Sequence, residues 1–338
     1  MDYLEMLNIA RDKVGPLCKA CPVCNGKACG NSMPGPGSKN PGNGALKNYE
    51  AWQNICVNMD TIADNCEPCT EFELYGQKFS MPLFSAPIGA IPAHYGPDYN
   101  DISFNDLMIP TCKEFGVASF TGDGVDPAVM KAAAIMMDKC DGIGVPTIKP
   151  WNIEAVAEKI EFLNERNIFA VAMDIDGAGL PFLKAMNPNA GSKTVSELKE
   201  VIGLTDRPFI IKGIMTVKGA LKAVQAGAKG IVVSNHGGRV LGQTPSTAEV
   251  LPEIADAVRG KTTVFVDGGI RNGVDIFKAL ALGADAVLIG RPFVPAVYGA
   301  AKEGILLLLN KYMAELKDTM KMCGACKLSD ITRDMVRF

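Results

Sequence analysis

After residue 82 the chain alternates short apolar runs with longer stretches in which apolar residues recur every three or four positions. The apolar runs at 83–86, 117–120, 142–145, 169–174, 209–212, 231–234, 264–267 and 286–289 read as buried strands. Helical patterns lie between them, as at 153–164 and 217–226. Eight strand–helix alternations in this length predict a parallel sheet closed into a single (β/α)8 barrel of the TIM type. An open doubly wound sheet is the structural rival, but no Gly-x-Gly-x-x-Gly follows an early strand.

The first 80 residues are less regular. Tyr3, Leu4, Leu7 and Ala10 begin a short helical pattern that runs into a group of cysteines. Residues 31–46, with Pro34, Pro36, Pro41 and four glycines, have the composition of a loop or lid. Residues 47–80 predict a short hairpin capping one end of the barrel. The expected organisation is a Cys-rich segment and cap over 1–80 and a catalytic barrel over 81–338.

Polar residues gather at the strand ends: Asp174, Lys212, His236, Asp267-Gly268-Gly269 and Gly290-Arg291. In a barrel of this kind those ends share one face, where active sites are built. The richest is Ser234-Asn235-His236-Gly237-Gly238-Arg239. His236 can exchange a proton near neutral pH, and Arg239 can hold a carboxylate through two hydrogen bonds. A plain polar turn is the alternative, but this chain has only two histidines and one stands here beside an arginine. The seventh strand ends in Asp267-Gly268-Gly269-Ile270-Arg271 and the eighth in Gly290-Arg291, each before a helix. Backbone amides, helix N-termini and two arginines there predict a phosphate site, against the alternative of barrel-closing turns with surface arginines. Asp174 and Lys212 could pair structurally; their place beside His236 points to roles in the site.

Of the 338 residues 48% are hydrophobic and 21% charged, and the net charge is −3, the balance of a globular protein. No basic block marks nucleic acid or an anionic membrane as a partner, and no apolar run approaches the length of a membrane span. The acidic start, Met1 to Glu5, lacks a signal-peptide pattern, so a cytoplasmic location is expected. Eleven cysteines include Cys18, Cys21, Cys24 and Cys29 within twelve residues, and the pairs Cys66/Cys69 and Cys323/Cys326. In a reducing compartment such spacing favours metal binding or redox work over disulfides. The first four have the count for a four-thiolate site, iron–sulfur or zinc, with free thiols or a redox pair as the alternative. An iron–sulfur centre there would give electrons an exit other than oxygen.

The motifs Ser234–Arg239, Asp267–Arg271, the helix at 274–283 and Gly290-Arg291-Pro292 resemble those of the FMN-dependent 2-hydroxy-acid oxidising enzymes, which include glycolate oxidase and lactate oxidase. Residues 79–89 and the C-terminal 322–331 are similar to that family as well, so the likeness spans about residues 75–338. It implies a small 2-hydroxy acid oxidised to the 2-oxo acid, with His236 removing a proton, a hydride equivalent passing to flavin N5, and Asp174 orienting the imidazole. It implies that Pro87, Ile88 and Gly89 lie against the flavin ring and that Thr121 bonds its edge. Lys212 would sit at its N1/O2 side, and Ser234 at the ring or ribityl chain. Asp267, Gly268, Gly269, Arg271, Gly290 and Arg291 would hold ribityl and phosphate. Arg239 would clamp the substrate carboxylate, and His94 would be structural, near the flavin face. The resemblance also implies a homo-oligomer, a tetramer or larger, with an unidentified electron acceptor. Cys326 matches a cysteine of the family, which makes Cys323/Cys326 structural; Cys66/Cys69 would be a loop pair joining the N-terminal site.

The chain also departs from the family. Its third strand, read as ending within Gly142–Thr147, lacks the usual Gln and Tyr. The segment Asp174-Ile175-Asp176-Gly177-Ala178-Gly179-Leu180-Pro181 has no arginine, and the cysteine segment replaces an N-terminal Tyr. Two further readings follow from these departures. One is an FMN-dependent isomerase on the same barrel, since 174–179 resembles the type 2 isopentenyl diphosphate isomerases. The other is an electron-transfer protein in which flavin and a cysteine cluster exchange electrons.

Overall fold

The computed structural model describes every residue except Pro34, Pro181, Lys184, Ala185, Asn187, Pro188 and Asn189. Pro34, counted in the expected lid, thus lies outside the described residues. Two helices come first, α1 (Tyr3–Arg11) and α2 (Gly44–Asn54), then the short strand β1 (Cys56–Val57) and the hairpin β2 (Phe72–Leu74) and β3 (Gln77–Phe79). The barrel strands are β4 (Leu83–Ser85), β5 (Phe120–Gly122), β6 (Val145–Ile148), β7 (Val171–Asp174), β8 (Phe209–Ile214), β9 (Gly230–Val233), β10 (Thr263–Val266) and β11 (Ala286–Ile289). The connecting helices are α3 (Ile91–Tyr95), α4 (Asp101–Phe115), α5 (Pro127–Lys139), α6 (Ile153–Asn164), α7 (Val195–Ile202), α8 (Val217–Ala226), α9 (Thr247–Val258) and α10 (Gly273–Ala281). Helix α11 (Phe293–Met322) and strand β12 (Val336–Arg337) follow the last barrel strand.

The eight barrel strands pair in parallel in the order β4-β11-β10-β9-β8-β7-β6-β5, as the (β/α)8 reading expects. The ring closes between β4 and β5 through a single bridge, Ser85 to Ser119, where the Ser85 amide donates to the Ala118 carbonyl at 3.1 Å. Inside the ring Phe84, Phe120 and Phe265 meet edge to face at centroid distances of 5.9 to 6.2 Å. Phe79 of the hairpin stacks below them, 4.9 Å from Phe84. Such contacts fill the barrel with a packed core. The predicted hairpin therefore plugs the end where strands begin, and only the opposite end is left for a site.

Strands β5 and β6 begin three residues later than the apolar pattern suggested. At β5 the amide of Val117 still closes helix α4, donating to Cys112 at 2.9 Å. At β6 the glycines supply the turn: Gly142 has φ +79° and its amide donates to Met137 at 2.9 Å. The shift places Lys149, rather than Pro146, just beyond the strand. Helix α2 lies where a loop and hairpin were expected.

Helix α11 corrects the expectation that no apolar stretch reaches membrane-spanning length, for its 30 residues are long and apolar enough. It is broken at Ala300–Ala301, and its apolar face packs on α1, α4 and α10. The cysteine expectation is corrected too. Cys66 forms a disulfide with Cys326, not a tie to the N-terminal cysteines. Pairing of β1 with β12, and the Cys69 amide on the Cys326 carbonyl at 2.8 Å, bring the two Cα atoms to 5.8 Å, within disulfide reach.

Candidate functional site

The C-terminal ends of the strands surround a cavity of about 450 Å³. Its walls carry the segment 86–90, Gly122, Lys149, Lys212, His236, Arg239, Asp267–Gly269, Arg271, Gly290 and Arg291. Among the described residues five cations thus line the space, against the two carboxylates of Asp101 and Asp267. Such a volume and charge suit an anionic ligand of cofactor size.

Lys212 comes from β8, which bulges between Lys212 and Ile214. Gly213, at φ +104°, makes the bulge; a side chain there would strike Asp176. The Lys212 ammonium is buried, donates to Ser234 Oγ at 3.1 Å and stands 3.4 Å from Asp267 Oδ2. Burial by itself would lower its pKa, but Asp267, Asp176 and Asp174 outweigh that and hold it above the ordinary lysine value.

His236 follows β9 in the left-handed region, φ +57°, with its amide on Ser234 Oγ at 3.1 Å. A non-glycine residue held there marks a constrained loop. Its Nδ1 lies 3.0 Å from Asp176 Oδ1 and 3.9 Å from Asp174 Oδ2. The direct partner of the imidazole is therefore Asp176, and this corrects the assignment of that role to Asp174. Asp174 instead pairs with Lys149, Nζ to Oδ2 at 2.5 Å. Burial, then the ammonium groups of Lys212 and Lys149, push the His236 pKa well below the usual histidine value. Burial raises that of Asp176. A neutral His236 donates Nδ1–H to Asp176 and leaves Nε2 as a lone-pair acceptor.

The arginines reach the cavity wall and also hold the N-terminal segment over it. Arg239 donates through Nη1 to the carbonyls of Gly35 and Gly37, and through Nη2 to His94 Nε2 at 3.1 Å. Burial and then Arg291 lower its pKa to about 10, so it stays charged. Burial and Arg239 lower that of His94 to about 4, which keeps this ring neutral. Arg291 Nε donates to Pro36 at 2.9 Å and its Nη2 to Gly237 at 3.0 Å; Arg271 Nε donates to Cys24 at 2.5 Å. Among the described residues Arg271 Nη2 and Arg291 Nη1 have no protein acceptor. Helix α2 completes the cover, with Asn48 and Asn235 exchanging two amide bonds at 2.7 and 2.9 Å.

Several features fit FMN. The buried hydroxyls of Thr121 and Thr147, at adjacent strand ends, and Asp267 Oδ1 have no partner within the protein. Buried polar atoms of this kind are partnered by a ligand or an ordered water. Gly269, at φ +91°, lies against the Asn48 backbone, where any side chain would collide. Glycine there lets α2 pack closely, and the segment 267–269 lines the cavity together with Arg271 and Arg291, the surroundings a ribityl phosphate needs. Pro87, Ile88 and Gly89 lie on the wall of the same cavity as Lys212.

The structure thus brings His236, Arg239, Lys212 and the expected phosphate residues to one cavity, with Asp174 behind it. Sequence reading missed Lys149 and Asp176. Lys149 was legible as the first charge after the apolar run ending at Ile148; Asp176 had no signal beyond lying two residues from Asp174. Cys18, Cys21, Cys24 and Cys29 lie outside this cavity, around a smaller one next to it.

Residues 152–338 match the model of the FMN-dependent dehydrogenases. A peroxisomal (S)-2-hydroxyacid oxidase of Arabidopsis thaliana is 48% identical over 134 residues, 40% of this chain; that match spans only 37% of the plant protein. An L-lactate dehydrogenase of Vibrio parahaemolyticus is 47% identical across 85% of this chain and 89% of its own length. Among solved structures, a mandelate oxidase variant carrying a monooxide FMN adduct superposes with a TM-score of 0.73 at 27% identity, covering 89% of this chain and 93% of its own. With more than half of the chain matched, and a cavity shaped and charged for the same cofactor, this chain belongs to the FMN-dependent dehydrogenase family.

Proposed function

We propose that the chain oxidises a small 2-hydroxy acid to the 2-oxo acid, with His236 as the base. The observation that carries this reading is the His236–Asp176 pair at 3.0 Å on a cavity wall that also holds Arg239. FMN, when bound, supplies the two-electron acceptor. The protein's own groups do the rest. His236 is neutral at physiological pH and takes a proton at Nε2, while Asp176 and, less directly, Asp174 stabilise the imidazolium that results. Arg239 and Lys149 attract the substrate carboxylate. Lys212, buried and charged, favours negative charge beside it. Lys149 already gives Asp174 a cationic partner at 2.5 Å, so Asp174, Asp176 and His236 act as an acid–base set rather than as ligands of a metal ion.

The test is anaerobic. Purified protein should be yellow and should bleach on addition of L-lactate or glycolate. The variant His236→Ala should keep the colour and lose the bleaching. Flavin reduction in that variant at the wild-type rate would show that another group is the base.

A further inference from the structure

We propose that Cys18, Cys21, Cys24 and Cys29 hold a [4Fe–4S] cluster seated against the wall of the flavin cavity. All four line one small void of about 30 Å³, whose wall also includes Tyr3, Tyr95, Pro36, Lys19 and Arg291. The void takes two or so water-sized spheres, yet its lining is mainly apolar and sulfur, a poor site for water. All four thiols are free, although elsewhere in the chain Cys66 and Cys326 are joined.

The spacing of the sulfurs decides between metals. A zinc ion with four thiolates at about 2.3 Å draws the sulfurs to about 3.8 Å of one another. Among the described residues, only Asp174, Asp176 and His236 form a set of three ligand atoms within 4.8 Å of one another. No three of the four cysteine sulfurs lie that close, so they stand wider apart than a closed tetrathiolate zinc site requires. The thiolates of a cubane cluster stand about 6 Å apart, and the run Cys18-x-x-Cys21-x-x-Cys24 resembles, without matching in its fourth cysteine, the spacing such clusters use.

The surroundings fit its charge. A [4Fe–4S] core with four thiolates carries a net negative charge, which is costly to enclose without cations nearby. Three arginines grip the backbone of the same segment: Arg11 on Ala20 at 3.2 Å, Arg271 on Cys24 at 2.5 Å and Arg291 on Pro36 at 2.9 Å. Tyr95 and Arg291 line both this void and the flavin cavity, so a single layer of side chains separates the two. This site is independent of which substrate the barrel oxidises.

The experiment is iron, zinc and acid-labile sulfide analysis of the full chain purified without air, with electron paramagnetic resonance before and after dithionite. About four iron and four sulfide per chain, with a paramagnetic signal on reduction, is the expected result. Cys21→Ser and Cys24→Ser should lose iron and sulfide while retaining FMN, and Cys140→Ser, at the C-terminal end of α5, should retain both. Stoichiometric zinc, neither metal after reconstitution with ferrous iron and sulfide, or a full cluster surviving both Cys21→Ser and Cys24→Ser would each overturn the proposal. The analysis of the unmodified protein decides the matter even if the serine variants fail to fold.

Discussion

Replacing Asp176 by Asn tests the acid–base pair directly. The change keeps the shape and an acceptor for His236 Nδ1, but removes a charge 3.0 Å from the ring. With an effective dielectric of about 20, that charge and a full imidazolium attract by about 5 kcal/mol. If the proton is about half transferred at the barrier, about 2.5 kcal/mol is lost, or roughly a hundredfold in the rate of flavin reduction. The same arithmetic for Asp174, at 3.9 Å, gives about 2 kcal/mol and roughly a thirtyfold loss for Asp174→Asn. Folding should not suffer, because burial already holds the Asp176 carboxyl above its ordinary value and a neutral amide relieves that burden. The assay is the limiting rate of anaerobic flavin bleaching in a stopped-flow instrument, alongside a urea unfolding curve. A loss below about threefold for Asp176→Asn, with the fold intact, would refute the reasoning. So would a clearly larger loss for Asp174→Asn.

Other measurements follow from the same geometry. Lys212→Met leaves buried carboxylates at Asp267 and Asp176 without their ammonium and should cost about 3–5 kcal/mol in urea unfolding of the apoprotein; an unchanged midpoint would contradict the buried network. Gly290→Ala places a methyl group in the cavity while meeting only Ala86 and Ile88 at 3.4 Å or more, so the apoprotein should unfold as before and bind FMN about tenfold more weakly. Equal affinity in a flavin fluorescence titration would move the cofactor away from that loop. Because the His236 pKa is pushed down, the ring stays neutral as pH falls through 6.5, and kcat/KM should be level there and decline only at lower pH. The unfolded chain protonates first, so the share of stability tied to the neutral ring diminishes as pH drops below 6.5. An acid limb at or above 6.5 would place the catalytic proton on another group.

The barrel was legible because each strand is a short apolar run, and its site because polar residues follow those runs directly. His236, Arg239, Lys212, Arg271 and Arg291 all announce themselves in that way. What escaped was of two kinds. The glycine turn at Gly142 delayed β6, and three residues of slip hid Lys149 behind the strand end. The partnership of Asp176 with His236 depends on the bulge at Gly213, a feature of backbone pairing that periodicity does not carry. The disulfide between Cys66 and Cys326 joins positions 260 residues apart, and only the folded contact of β1 with β12 reveals which cysteines meet.

The single bridge between β4 and β5 makes that join the place where the ring breathes. Deuterium should reach the Ser85 amide sooner than the amides of β9 and β10, which pair over four consecutive residues. Gly122 on one side of the join nearly touches Ile88 on the other, and both border the flavin cavity. A planar ring lying there would lean on both edges at once, so loading the cofactor should slow exchange at this seam more than anywhere else in the barrel.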